Sequence, residues 1–285
     1  EQVLSKLRLP DRKEPDILQW KKFLGRLKNP INEVTVGVVG KYVELPDAYK
    51  SIAEAFVHAG AENECKVRIQ WIPSESITTE NVADILGNLH GILVAPGFGE
   101  RGIPGKLLTA RFAREEQIPF FGICLGMQCA VVEFAQNVLG LSQANSSEFD
   151  PNTSDPVIDL MEEQKHVEDM GGTMRLGAYP CELRKGSMAY NAYGKTKLIH
   201  ERHRHRYEFN NNYLEQFTKQ GMVATGINPD SKLVEIMEIK DHPWFLGTQF
   251  HPELRSTVQE PHPLFVQFVK ATILAKSQVK ESVEK

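Results

Sequence analysis

PFFGICLGMQCAVVEF, residues 119–134, holds the passage from a buried strand into a helix, with a single cysteine at the join. The apolar run "PFFGI" reads as a strand, and "LGMQCAVVEFAQNVLG" from Leu125 onward has helical spacing. Between them, Gly122-x-Cys124-x-Gly126 has the form of the nucleophile elbow G-x-S-x-G, with sulfur in place of oxygen. Packing alone explains a buried cysteine but not its glycine neighbours; a catalytic thiol on a sharp turn explains both. At a helix N-terminus the macrodipole favours the thiolate. The backbone N–H of Leu125 points at the same space and can donate to an oxyanion.

Upstream and downstream, the same alternation continues. "EVTVGVVG" (33–40) reads as a strand, and "PDAYKSIAEAFVHAG" as a helix that Asp47 caps. "KVRIQWIP", "TTENVADILGNL", "GILVAPG" and "GKLLTARFAREEQ" read as strand, helix, strand and helix. This rhythm predicts one doubly wound α/β domain, a mostly parallel central sheet with helices on both faces. Beyond residue 140 it changes. "LSQANSSEFDPNTSDP" reads as loop, "MEEQKHVEDM" (161–170) as a mobile charged insertion, and residues 171–210 as short strands and turns, a small antiparallel addition. "KLVEIMEI" and "WFLGTQF" are strands, and "HPLFVQFVKATILA" is a closing helix. Residues 1–30 read as an interdomain linker with a short amphipathic helix in "DILQWKKFLGRL", 31–275 as the domain, and 276–285 as a polar, frayed tail.

The 285 residues are 41% hydrophobic and 25% charged, an ordinary globular composition. A net charge of -4 gives no basic field for nucleic acid or a membrane surface. No apolar run spans a bilayer and no secretory signal opens the chain. It begins with Glu1 rather than Met, from which we expect a longer parent polypeptide. Cys65, Cys124, Cys129 and Cys181 are too sparse for a disulfide framework, which points to a reducing, cytoplasmic setting.

A thiol nucleophile needs a base and a group to orient it. In "WFLGTQFHPEL", His251 ends an apolar strand and Glu253 follows two residues later; in extended chain both face one side. Gly97–Gly102 satisfies G-x-G-x-x-G, but Pro104 and the lack of a following acid weigh against a dinucleotide fold. Gly105-Lys106 is followed by Leu107, not by the Ser or Thr of a Walker loop. A glycine loop whose Gly97 N–H completes an oxyanion hole opposite Leu125 fits better. In "HERHRHRYE", His200, His203 and His205 lack the spacing of a zinc motif, and the intervening arginines oppose a cation. That stretch reads as a cation-rich surface for a carboxylate. Cys65, Cys129 and Cys181 read as packing residues.

"FFGICLGMQ", "TQFHPE" and "APGFG" together resemble the class I glutamine amidotransferases, a flavodoxin-like fold with a Cys-His-Glu triad. "VGKYVELPDAYKSIAEAF", "ANSSEF", "GGTMRLG" and "ERHRHRYEFN" are similar, more narrowly, to the C-terminal glutaminase half of CTP synthases, over about residues 31–275. The resemblance implies Cys124 as nucleophile, His251 as acid/base and Glu253 as its partner, with Gly97 and Leu125 as the oxyanion hole. It implies glutamine contacts from Gly97, Phe98, Leu125, Gly126, Met127, Gln128, Glu148 (on the α-ammonium) and Arg206 (on the α-carboxylate), and no metal ligand. Where relatives often carry a proline and two glycines, this chain has Ala95-Pro96-Gly97. It further implies an N-terminal synthetase domain as partner, ATP and Mg2+ bound on that domain, GTP as activator, and a homotetrameric whole enzyme. Two other readings remain open from the triad alone: a stand-alone thiol hydrolase and a non-catalytic nucleotide-binding module.

Overall fold

Strand β1 (Asn32–Gly40) is apolar on both sides because both sides are covered: Val34, Val36 and Val38 join one core, and Val39 joins the other. The same division runs through β3 (Gly91–Val94) and β4 (Phe120–Ile123), where Leu93 and Phe121 face one way and Ile92, Val94 and Phe120 the other. The computed structural model from which these facts come describes residues 2–9, 16–45, 47–160 and 174–283.

Two helices, α1 (Gln2–Lys6) and α2 (Leu18–Lys28), precede the sheet, and neither buries a residue. After β1 come α3 (Lys50–Glu62), β2 (Cys65–Pro73) and α4 (Val82–Leu86); after β3 comes α5 (Ile103–Glu115), and after β4 comes α6 (Leu125–Asn137). β5 (Ala144–Ser146), β6 (Asp155–Leu160), β7 (Arg175–Leu183), α7 (Met188–Ala192), β8 (Leu198–His205) and β9 (Tyr207–Phe209) follow. The chain closes through α8 (Leu214–Lys219), β10 (Met222–Ile227), β11 (Val234–Ile239), β12 (Phe245–Thr248) and α9 (Pro263–Val283). Phe56 of α3 and Phe265 and Phe268 of α9 fill one core, with Phe56 and Phe265 edge-on at 5.2 Å. Ala110 and Ala113 of α5 and Val131 and Phe134 of α6 fill the other.

The expected α/β architecture is present, with a mixed sheet. Nine strands run in the order β2-β1-β3-β4-β12-β11-β10-β7-β8, parallel from β2 to β12 and antiparallel thereafter. The antiparallel part is thus nearly half of the main sheet rather than a small addition. The stretch read as loop after residue 140 contains β5 and the start of β6, which with β9 form a second, three-stranded sheet. Asp47 caps nothing through its side chain: α3 starts after Tyr49, which makes no side-chain cap bond. The helix read in 78–89 shortens to Val82–Leu86. The tail read as frayed continues α9 to Val283. The charged insertion read at 161–170 lies outside the described residues. No helix among the described residues is long and apolar enough to cross a membrane.

Candidate active site

Strands β3, β4 and β12 are parallel neighbours, so their carboxyl ends lie along one edge of the sheet, where open α/β sheets bind ligands. Cys124 follows β4 directly. Its backbone sits at φ 52°, ψ -104°, a left-handed conformation that a cysteine adopts only where its surroundings impose it. Gly122 and Gly126 make that turn possible. A Cβ on Gly126 would lie 2.1 Å from the Val94 carbonyl oxygen, and one on Gly122 would lie 2.7 Å from the Gly126 carbonyl carbon. The Cys124 N–H donates to the Thr248 carbonyl at 2.7 Å, and the Gln128 N–H closes the first helical turn onto the Cys124 carbonyl. The N–H groups of Leu125 and Gly126 therefore precede the helical ladder, with no acceptor inside α6.

His251 leaves β12 beside this turn. Its Nδ1 lies 2.8 Å from Glu253 Oε1, and both side chains are buried. The pairing expected from an extended chain is made by a turn instead, since Pro252–Leu254 form a 3-10 helix. Burial alone would push the His251 imidazole down. The Cys124 sulfur, followed by Glu253, overrides it and raises the group to about 10. Nδ1 is taken by Glu253, so the imidazole's interaction with the Cys124 sulfur falls to Nε2, which meets no other protein partner. A thiol beside an imidazole that a carboxylate orients is the arrangement that nucleophilic thiol chemistry needs. Burial has the opposite effect on the other cysteines: it pushes the thiols of Cys65 and Cys129 up to about 11, and that of Cys181 further. They pack, as their sequence context suggests.

Cys124 lines a small cleft of about 20 Å³, together with Gly97, Phe98, Gln128 and Glu148. His205, Arg206 and Tyr207 complete it. The structure therefore brings Gly97, Phe98, Gln128, Glu148 and Arg206 together around one cleft. Gly126 and Met127 do not line it: Gly126 is wedged against β3, and the Met127 side chain is a core group packed on Gly247. Leu125 likewise packs its side chain with Ile103 and Cys129, leaving only its backbone for the site. Glu148 Oε1 already accepts the Gly99 N–H at 2.8 Å, which ties the glycine loop to the expected ammonium partner. A larger cavity lies elsewhere, between Tyr193, Glu201, Arg255 and His262, but no cysteine lines it.

Of the cation-rich surface read in "HERHRHRYE", strand geometry keeps His200, Arg202 and Arg204 outside and removes His203 and His205. In β8, residues 199, 201, 203 and 205 point inward and the residues between them outward. His203 and His205 are buried, hydrogen-bonded to each other at 2.8 Å, and pushed by burial far below the usual imidazole range, His205 to about 3. Neutral histidines here sit beside a buried Arg175–Glu235 ion pair of 2.8 Å, which no local motif announces. Gln249 is a second residue that motif reading misses. Its Nε2 lies 3.6 Å from Cys124 Sγ, and its Oε1 accepts from Gln128 Nε2 at 3.2 Å. The signal available was its place in "TQFHPE", two residues before His251.

Three comparisons bear on this geometry. Residues 44–271 match the family model described as glutamine amidotransferase class-I. The chain is 67% identical over 271 residues to a CTP synthase of Cytophaga hutchinsonii, covering 95% of this chain and 50% of that one. It is 56% identical over 273 residues to a CTP synthase of Bacteroides fragilis strain YCH46, covering 96% and 51%. Among solved structures, the glutaminase domain of Trypanosoma brucei CTPS with bound acivicin superposes with a TM-score of 0.79 at 36% identity, covering 84% of this chain and 93% of that one. The chain spans about half the length of the curated relatives it matches.

Proposed function

We propose that this chain, which belongs to the class-I glutamine amidotransferase family and within it to the glutaminase domains of CTP synthases, hydrolyses L-glutamine to glutamate and ammonia. The observation that carries the reading is Cys124 at a strained turn, opening onto a cleft and electrostatically joined to a His251 that Glu253 holds at 2.8 Å.

Cys124 attacks the side-chain amide carbon, forming the C–S bond while the carbonyl becomes an oxyanion. The N–H groups of Gly97 and Leu125 receive that charge, an effect of about 3 kcal/mol per donor in comparable sites. His251 gives its proton to the departing amine, ammonia leaves, and a γ-glutamyl thioester remains. The imidazole then takes a proton from water, which attacks the thioester and releases glutamate. Glu253 fixes the tautomer throughout. Glu148 takes the substrate's α-ammonium in exchange for the Gly99 N–H, Arg206 takes its α-carboxylate, and Phe98 and Gln128 bound the pocket.

In the whole enzyme the ammonia aminates UTP to CTP on a synthetase domain that binds ATP and Mg2+, with GTP as activator and a homotetramer as the assembly. No step assigned to this chain uses those groups. The test is ammonia release from glutamine but not from peptide amides, abolished in Cys124→Ala, with Cys124 as the residue labelled by a glutamine-like diazo-ketone. The isolated chain is expected to turn over slowly, without response to GTP, and to make no CTP from UTP, ATP and ammonia. Undiminished ammonia release by Cys124→Ala contradicts the reading.

A further inference from the structure

Two lysines grip the glycine loop from behind. Lys106, in the first turn of α5, is fully buried, and its Nζ donates to the Ala95 carbonyl at 2.5 Å. Lys41, at the end of β1, is 7% exposed; its Nζ donates to the Phe98 carbonyl at 2.7 Å and also to the Gly99 carbonyl. The ionisable neighbours felt by Lys106 are Cys129, Lys41 and Cys124, none of them a carboxylate. Burying an ammonium without an opposite charge disfavours folding. A methionine fills the same space without that penalty, so packing does not account for a lysine at 106.

The bonds select particular peptide planes. Lys106 holds the Ala95–Pro96 peptide, and Lys41 holds the Phe98–Gly99 peptide, by their oxygens. The Pro96–Gly97 peptide, which carries the Gly97 N–H, lies between the two. Gly97 also touches both the elbow and a lysine: a Cβ built on it lies 3.4 Å from Leu125 Cδ2 and 3.6 Å from Lys41 Cδ. The plane before it is pinned directly and the chain is pinned again one peptide beyond Gly97–Phe98, which narrows the range open to that N–H.

We propose that Lys41 and Lys106 are positioning residues that aim the Gly97 N–H at the oxyanion. This rests on the reading of Gly97 given above. Lys106→Met and Lys41→Met are compared with the wild-type chain in four measurements: kcat and KM for glutamine, inhibition by the aldehyde analogue of glutamine, alkylation of Cys124 by iodoacetamide, and melting temperature. The aldehyde adds to the thiol and places an oxygen in the oxyanion site, whereas alkylation by displacement needs no such site.

Loss of aim is expected to lower kcat and aldehyde affinity together, by about 10-fold or more, with KM within about 3-fold. Alkylation stays within about 2-fold, and Lys106→Met melts at or above the wild-type temperature. Unchanged kcat in both variants overturns the proposal. So does alkylation that falls in step with kcat, since the lysines would then act on the sulfur. Should Lys106→Met fail to fold, Lys41→Met decides alone. A wild-type chain that releases no ammonia from glutamine refutes the parent reading instead, and is seen before any variant is compared.

Discussion

Replacing Gly126 by alanine adds one methyl group and drives it into the backbone of Val94 at the end of β3. The new Cβ would lie 2.1 Å from the Val94 carbonyl oxygen and 3.0 Å from its carbon. That is more than about 1 Å inside ordinary contact distance. No side chain can rotate away, because the obstacle is the main chain of β3 itself. Relief requires α6 to lift from the sheet, and its first residue follows Cys124. Overpacking of this kind costs about 1–3 kcal/mol and occasionally more; with main chain as the obstacle, a loss of about 3 kcal/mol is expected. At roughly 2–4 °C per kcal/mol for a domain of this size, melting falls by about 6–12 °C. Ammonia release should be lost as well, since the lift separates the sulfur from His251. Gly97→Ala is the matched control: its Cβ meets nothing nearer than 3.4 Å, so melting should stay within about 2 °C of wild type. Differential scanning calorimetry with a coupled ammonia assay reads both. A Gly126→Ala chain that melts within about 2 °C of wild type and still turns over would refute the reasoning.

Further consequences follow from the same contacts. His251 is raised above its ordinary value of 6.5, to about 10, chiefly by the Cys124 sulfur against the opposing effect of burial. Its contribution to stability is therefore complete below about pH 6.5 and fades as pH rises toward about 10. In Cys124→Ala the imidazole should be neutral by pH 8, where the wild type is still protonated. Histidine ring NMR signals check this, and identical titrations in the two chains contradict it. Glu253→Gln removes the carboxylate that fixes the His251 tautomer and should lower kcat by about 100-fold or more with little change in KM, measured by steady-state ammonia release. Phe245 stacks on Phe120 with centroids 4.3 Å apart, both buried, so Phe245→Ala should cost about 3–5 kcal/mol in urea unfolding. Trp20 is 44% exposed on a helix that buries nothing, and Trp20→Ala should shift stability by no more than about 0.5 kcal/mol in the same assay.

The parts of the site that sequence revealed are those whose chemistry is local. Gly122, Cys124 and Gly126 occupy five consecutive positions, so their steric conflict with any other residue is written into the spacing. His251 and Glu253 are likewise near neighbours. What stayed hidden depends on which way a strand faces. The alternation in "LIHERHRH" is visible, but sequence does not say whether histidines or arginines turn inward; pairing with β7 and the His251 N–H bonded to the Arg202 carbonyl decide it. Lys106 hides for a related reason, since a lysine in a helical pattern reads as solvent-exposed until β3 is placed beside it. The antiparallel part of the sheet is less legible because its strands are half-polar and interrupted by turns, which dilutes a period of two. In β10 the register with β11 also shifts twice, breaking the alternation that would announce it.

The order of strands explains why three distant segments meet. β4 lies between β3 and β12, and all three run the same way, so the glycine loop, the cysteine and the histidine all emerge at one end of the sheet. Cys124 is thereby flanked by the glycine loop on one side and by His251 on the other. Register sets the rest. Thr248 pairs with Ile123, which puts Gln249 and Cys124 side by side as the strands end, and the Cys124 N–H locks that alignment onto the Thr248 carbonyl. A slip of β12 by one residue would carry His251 about 3.3 Å along the sheet and turn Gln249 to the opposite face. Phe245 and Leu246, buried against opposite layers, oppose that slip, because it would exchange the two between cores shaped for different side chains. The packing that stabilises β12 therefore also sets the distance between sulfur and imidazole, and the chemistry depends on core residues that never touch the substrate.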